Sequence, residues 1–137
     1  MIGIRCAWDD PENTVIRLYI GDLWDWEDLS EATKKAAMMV ASVEHQVDFI
    51  IVMRSSGSVP EGNAMLHMRD AIKKMPRNGG IMVMIGGNTI INATLKMLAR
   101  NYQCMTGRIF QRDHLADAYR IIARNRPEIY EGEAVAA

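Results

Sequence analysis

Two short, uninterrupted apolar runs constrain the fold of this chain more than any other feature of its sequence. Residues 49–53 and 81–85 are apolar throughout. Runs of this length, bounded by turn residues, are typical of strands that are covered on both faces of a sheet. They are also far too short to span a bilayer, which takes roughly 20 apolar residues. The sequence therefore predicts buried parallel strands and no membrane span.

The residues before the first run predict a hairpin and a helix. Apolar residues alternate over positions 2–8, turn residues fill positions 9–13, and β-branched residues resume over 14–20. This pattern predicts two antiparallel strands. Asp25 has the chemistry of a helix N-cap. Beyond it, residues from Leu29 to Val43 recur at alternating spacings of four and three, which predicts one buried helical face.

The second half of the chain predicts three more helices and another short strand. Ser58 and Glu61 fit a capping box, so the helix after the first apolar run is expected to begin there and to end at Pro76. Asn88 and Asp113 have the chemistry of N-caps for the next two helices. A short strand is expected between those helices, over residues 108–110.

The order of the predicted elements is ββαβαβαβα. It predicts one α/β domain over residues 1–125, built on a mixed five-stranded sheet with parallel inner strands and covering helices. The acidic segment 126–137 is expected to be a frayed tail. The side chains expected in the core are Phe49, Ile51, Ile81, Val83, Leu95, Leu98 and Ile122.

Cysteine and histidine usage argues against a cofactor. Cys6 and Cys104 form no CxxC pair and make a poor disulfide framework. Together with the lack of a secretory signal, this predicts a cytoplasmic protein. The histidines at positions 45, 67 and 114 lack metal-ligand spacing. No nucleophile or acid–base pair is evident either. We therefore expect no metal, no cofactor and no enzymatic activity.

Charge is distributed unevenly along the chain. Residues 1–31 hold eight acidic and two basic side chains, whereas residues 66–126 hold eleven basic and three acidic ones. Oppositely charged regions attract, so the sequence predicts self-association as a homodimer, unless both are ordinary solvated faces. Trp24 and Trp26, two positions apart, cannot both face the core, and one is expected at an interface. The basic residues carry no aromatic–basic motif, so nucleic acid is not expected.

A ligand crevice is predicted where two loops leave buried strands. The carboxyl ends of parallel strands lie at one edge of a sheet, and loops diverge there. Gly and Ser let a ligand approach the backbone, and the following helix N-termini offer N–H donors. The residues expected to contribute are Arg54, Ser55, Ser56, Ser58, Glu61, Gly86, Gly87 and Asn88. Alternatively, Asn88 and Glu61 serve only as helix caps, and Arg54 only pairs with a nearby carboxylate.

Four segments carry a resemblance to a known family. They are residues 21–27, 43–48 with the apolar run that follows, 55–62 and 85–88. Over about residues 2–124 the chain resembles the SpoIIAA-like branch of the STAS superfamily, which includes anti-sigma-factor antagonists. The resemblance implies a regulatory or protein-interaction domain without catalysis. In those antagonists a partner kinase phosphorylates a serine at a helix start. Here residues 60–63 read Pro-Glu-Gly-Asn at that place, so phosphorylation is not expected.

The methionines suggest a different function. The chain has eleven of them, and most fall in or beside predicted elements. Methionine is flexible and polarisable, so it suits an adaptable apolar cavity as well as ordinary core filling. The alternative to a regulatory domain is therefore a carrier of a small apolar or lipid-like ligand.

Overall fold

The computed structural model describes residues 2–54, 56–101 and 107–126. In chain order the elements are β1 (Ile4–Trp8), β2 (Val15–Ile20), α1 (Trp26–Ala41), β3 (Val47–Met53), α2 (Ala64–Lys73), β4 (Gly79–Gly86), α3 (Thr89–Asn101), β5 (Ile109–Arg112) and α4 (Leu115–Arg124). This confirms the predicted order of elements. No helix in these ranges is long and apolar enough to cross a membrane.

The five strands form one mixed sheet in the order β1-β2-β3-β4-β5. β1 runs antiparallel to β2, and every other neighbouring pair is parallel, as predicted. The first three helices and α4 pack on opposite faces of the sheet. We call these the three-helix face and the α4 face.

Local sequence determines where α1 begins. The Asp25 side chain accepts a hydrogen bond from the Asp28 amide at 2.7 Å, and the Asp28 side chain accepts one from the Asp25 amide at 3.0 Å. This reciprocal pair satisfies two N–H groups that the first helical turn leaves open. Thr33, Ala36 and Val40 are buried along the predicted face. The prediction for this helix is confirmed.

The predicted start of α2 is wrong. Asn63 is the N-cap, and its side chain accepts from the Leu66 amide at 3.1 Å. Ser58 and Glu61 instead lie in an extended loop, and their backbone carbonyls accept hydrogen bonds from two indoles. Contacts with residues remote in sequence therefore override the local capping pattern.

The start of α4 is displaced by one residue from its predicted position. His114 holds the N-cap position and makes no side-chain capping bond. Asp113 accepts a long hydrogen bond from Gln111 Nε2, at 3.4 Å. The helix still buries Ala118, Ile121 and Ile122 against the sheet, whereas Tyr119 is exposed.

The core is as predicted with one informative exception. Phe49, Ile81, Val83, Leu95, Leu98 and Ile122 are all buried. Ile51 lies at the centre of the sheet, paired with Leu18 and Met84, and yet it is only partly buried. Its neighbour Ile50 points to the α4 face and is fully buried. Ile51 lines an apolar space between the sheet and the helices of the three-helix face.

A buried ion pair extends the domain past its predicted boundary. Arg126 is 5% exposed and Asp48 is 0% exposed. The Arg126 Nε contacts Asp48 Oδ2, and a second guanidinium nitrogen donates to the Thr14 carbonyl. Asp48 Oδ1 accepts from the Ile81 amide at 2.8 Å. Arg126 therefore belongs to the folded domain and not to the tail predicted for 126–137, of which the rest lies outside the described residues.

Candidate functional site

The two loops of the predicted crevice do meet. The Gly87 amide donates to the Met53 carbonyl at 2.9 Å, and Asn88 Nδ2 donates to the Gly57 carbonyl at 2.9 Å. Gly86 has a φ of +79°, and a Cβ added there would overlap the Met53 carbonyl. A glycine is therefore required where the backbones of the two strand ends come together.

Hydrogen bonds within the crevice use both polar atoms of the Asn88 side chain and the Gly86 carbonyl. Asn88 Oδ1 caps α3 by accepting from the Ile91 amide at 2.9 Å, which matches the simpler alternative for this residue. The Gly86 carbonyl accepts from Asn92 Nδ2 and from Gln111 Nε2, at 3.1 and 3.0 Å. These bonds join the loops to one another and to α3.

Four polar residues of the crevice, Arg54, Ser56, Ser58 and Glu61, face solvent. The Arg54 side chain is 77% exposed and lies 3.6 Å from Asp22, the carboxylate pairing named as its alternative role. Ser58 Oγ donates to the Asp22 carbonyl at 2.9 Å. Ser56 and Glu61 are exposed, and Ser55 lies outside the described residues. Ligand binding at this crevice stays a prediction.

The two tryptophans hold the loop between β3 and α2. Trp24 Nε1 donates to the Ser58 carbonyl at 2.9 Å, and Trp26 Nε1 donates to the Glu61 carbonyl at 2.8 Å. Their rings meet edge to face, with centroids 5.1 Å apart. Trp26 also stacks on His67, with a centroid distance of 4.8 Å. Trp24 is buried and Trp26 is partly buried. Of the two side chains, Trp26 is therefore the more accessible to a partner at the predicted interface.

A cavity of about 430 Å³ lies between the sheet and the helices of the three-helix face. Two rows of side chains from neighbouring strands form its floor. One row consists of Leu18, Ile51 and Met84, and the other of Phe49, Met82 and Ile109. Of these side chains, the sequence placed Phe49 and Ile51 in the core, but it did not predict the space between the floor and the helices.

Four methionines line the cavity. Met68 and Met75, from α2 and the turn after it, face Met82 and Met84 of β4 across the space. An unbranched, polarisable side chain adjusts its rotamers to an occupant of irregular shape. The abundance of methionine is therefore the sequence signal that points to this site.

The two ends of the cavity differ in polarity. Trp24 and Ile91, both buried, line it towards the carboxyl ends of the strands. Arg77, before β4, and Arg108, before β5, line it at the opposite end, and both are exposed. Together with Lys73 they make a basic rim, a name we use below for these three residues.

Titratable groups in the described ranges form no cluster with metal-ligand chemistry. No group of three or more His, Cys, Asp or Glu side chains there can hold a metal ion. Burial raises the pKa of the Cys6 thiol, although Lys35 works in the opposite direction. Burial and the hydrogen bond to Asp9 raise the pKa of Tyr119. Neither group lines the cavity.

These features define an α/β domain whose mixed five-stranded sheet carries an apolar cavity beneath three of its four described helices. Comparison of the chain with family models, with curated proteins and with solved structures finds no match.

Proposed function

We propose that this protein is a non-catalytic binding domain that carries a small apolar or lipid-like molecule in the cavity between the sheet and α1, α2 and α3. The observation that carries the proposal is the cavity itself. Its volume of about 430 Å³ falls within the roughly 300–1,000 Å³ of small-molecule sites. Its floor and most of its wall are apolar, as such sites are.

The incomplete burial of central side chains supports the same function. Ile51 and Met82 lie on the inner strands β3 and β4, where a close-packed core would cover them completely. Unfilled apolar volume costs stability because the side chains around it lose dispersion contacts. A ligand in the cavity restores those contacts and removes apolar surface from water.

A neutral fluorescent probe tests the proposal. N-phenylnaphthylamine brightens in apolar surroundings and carries no charge, so its binding reports on the cavity alone. We expect saturable binding to the native protein and much weaker binding to Ile51→Phe, whose ring occupies the cavity. Met38→Phe is the matched control, because Met38 is 75% exposed and does not line the cavity. Binding that is absent, or equal in all three proteins, would contradict the proposal.

A regulatory or protein-interaction domain of the SpoIIAA-like type is the second candidate. Two observations favour it: the order ββαβαβαβα with sequential strands, and the loop before α2 that the two indoles hold in place. In that loop Asn63 is the N-cap of α2, so no serine stands at the helix start.

An anti-sigma-factor kinase with ATP tests the second candidate. We expect the chain to form a complex with such a kinase on size-exclusion chromatography and to keep its mass unchanged. Failure to form the complex would exclude this partner class. A stoichiometric phosphate on Ser58 would contradict the expectation that the phosphorylation switch is missing.

A further inference from the structure

Charge is present at only one end of the cavity. Within the described ranges every charged residue that lines it belongs to the basic rim. Arg77 follows Pro76 in the turn before β4, and the Arg108 carbonyl accepts from the Met82 amide at 2.8 Å, which fixes Arg108 beside that strand. The part of the lining that the structure describes has no acidic residue, so the rim attracts an anion and repels a cation.

Among the described residues, the interior of the cavity offers an anionic headgroup no unused side-chain hydrogen-bond donor. Thr33 Oγ1 already donates to the carbonyls of Leu29 and Ser30, at 2.9 and 3.0 Å. Trp24 Nε1 is bonded to the Ser58 carbonyl. A charged headgroup placed there would lose its water without compensation, so it has to lie at the rim.

The two arginines of the rim are available to such a headgroup. Among the described residues neither Arg77 nor Arg108 has a carboxylate partner. The one buried carboxylate near this end is Asp48, which lies close to Gly80 and is neutralised by Arg126. A planar guanidinium forms paired hydrogen bonds with a carboxylate, which makes arginine well suited to this role.

We propose that the ligand is a single-chain anionic amphiphile of the fatty-acid type. Its alkyl chain lies over Ile51 and Met82 towards Trp24, and its carboxylate lies at Arg77 and Arg108. This inference rests on the proposed carrier function and adds the ligand's charge and orientation.

Displacement of N-phenylnaphthylamine by three amphiphiles of equal chain length tests the charge, each below its micelle concentration. We expect dodecanoate to bind at least about tenfold more tightly than dodecanol, since a charged hydrogen bond replaces a neutral one. Dodecyltrimethylammonium is expected to bind more weakly than dodecanol. Each further methylene, from octanoate to dodecanoate, should strengthen binding about fourfold while the cavity has room.

Substitutions at the rim test the orientation. The double variant Arg77→Ala, Arg108→Ala is expected to lose the preference for dodecanoate and to bind dodecanol as the native protein does. Arg124→Ala is the matched control, because Arg124 is an exposed arginine on α4, on the other face of the sheet.

The outcomes separate this inference from the function it rests on. If dodecanol or the ammonium amphiphile binds as tightly as dodecanoate, the anionic headgroup is refuted while the apolar carrier stands. A double variant that keeps the full preference refutes the assignment to Arg77 and Arg108. If neither the neutral probe nor any amphiphile binds, the carrier function itself is refuted.

Discussion

Adjacent isoleucines on β3 offer a direct test of the cavity without any ligand. Ile50 is 0% exposed and packs against α4 on one face of the sheet, whereas Ile51 faces the cavity on the other. The same substitution, isoleucine to phenylalanine, therefore adds the same atoms to a filled space at position 50 and to an open one at position 51. The two variants, Ile50→Phe and Ile51→Phe, therefore share the same strand, adjacent positions and the same change of side chain.

The structure predicts opposite effects on the free energy of unfolding. Forcing a larger ring into the close-packed site at Ile50 is expected to cost about 1–3 kcal/mol. At Ile51 the ring enters existing apolar space, so we expect no loss and a gain of up to about 1 kcal/mol, on the order of one further buried methylene. The difference between the two variants is then about 1–4 kcal/mol.

Urea unfolding measures that difference. The midpoint of Ile50→Phe should fall and that of Ile51→Phe should stay level or rise, with the slope of the free energy against urea unchanged in both. Truncation gives the complementary result. Ile50→Ala is expected to cost about 2–5 kcal/mol, and Ile51→Ala less, since part of the Ile51 side chain is already accessible to water. Equal destabilisation by the two phenylalanines would refute the cavity.

Further predictions concern charged groups and self-association. Arg126→Ala is expected to destabilise the protein by about 3–5 kcal/mol in urea unfolding because it leaves Asp48 buried without its partner. Arg54→Ala should change stability by less than about 0.5 kcal/mol in the same assay, since its pairing is exposed. Burial favours the neutral form of Asp10, but hydrogen bonds from the Thr14 hydroxyl and nearby amides outweigh it, so the pKa of Asp10 lies below its usual value. A carboxyl group whose pKa is lower in the folded state than in the unfolded state stabilises the fold at pH values above the unfolded-state pKa. This stabilisation is lost as pH falls through the folded-state pKa, so the loss of stability in Asp10→Ala should become smaller in acid. Sedimentation at low and high salt should show a dimer that dissociates as salt rises; a monomer at both salts would rule it out.

Sequence reasoning succeeded where the structure depends on neighbours along the chain. The N-cap role of Asp25 was predicted from its residue type and the buried face of α1 from periodicity, and both are properties of a single helix. The start of α2 depends instead on Trp24 and Trp26. No local sequence pattern predicts that those indoles donate hydrogen bonds to carbonyls more than thirty positions away.

Only part of the candidate site could be predicted from the sequence. The meeting of the loops near Gly57 and Asn88 follows from parallel topology, so their proximity could be predicted. The cavity could not, because a hydrophobic pattern assigns a side chain to a face without stating whether opposing side chains fill the gap. Ile51 has the same residue type and pattern as Ile50, and only their different degree of burial separates them.

The contacts of Arg126 have a consequence for how the chain folds. Its hydrogen bond to the Thr14 carbonyl joins residues 112 positions apart, and its ion pair neutralises a carboxylate at the base of the central strand β3. Contacts of such separation form late, because loop closure must first be overcome. During synthesis, Asp48 emerges from the ribosome long before its partner does. Until Arg126 has docked, Asp48 lacks the opposite charge that its buried position requires, so we expect docking of Arg126 to be coupled to completion of the sheet.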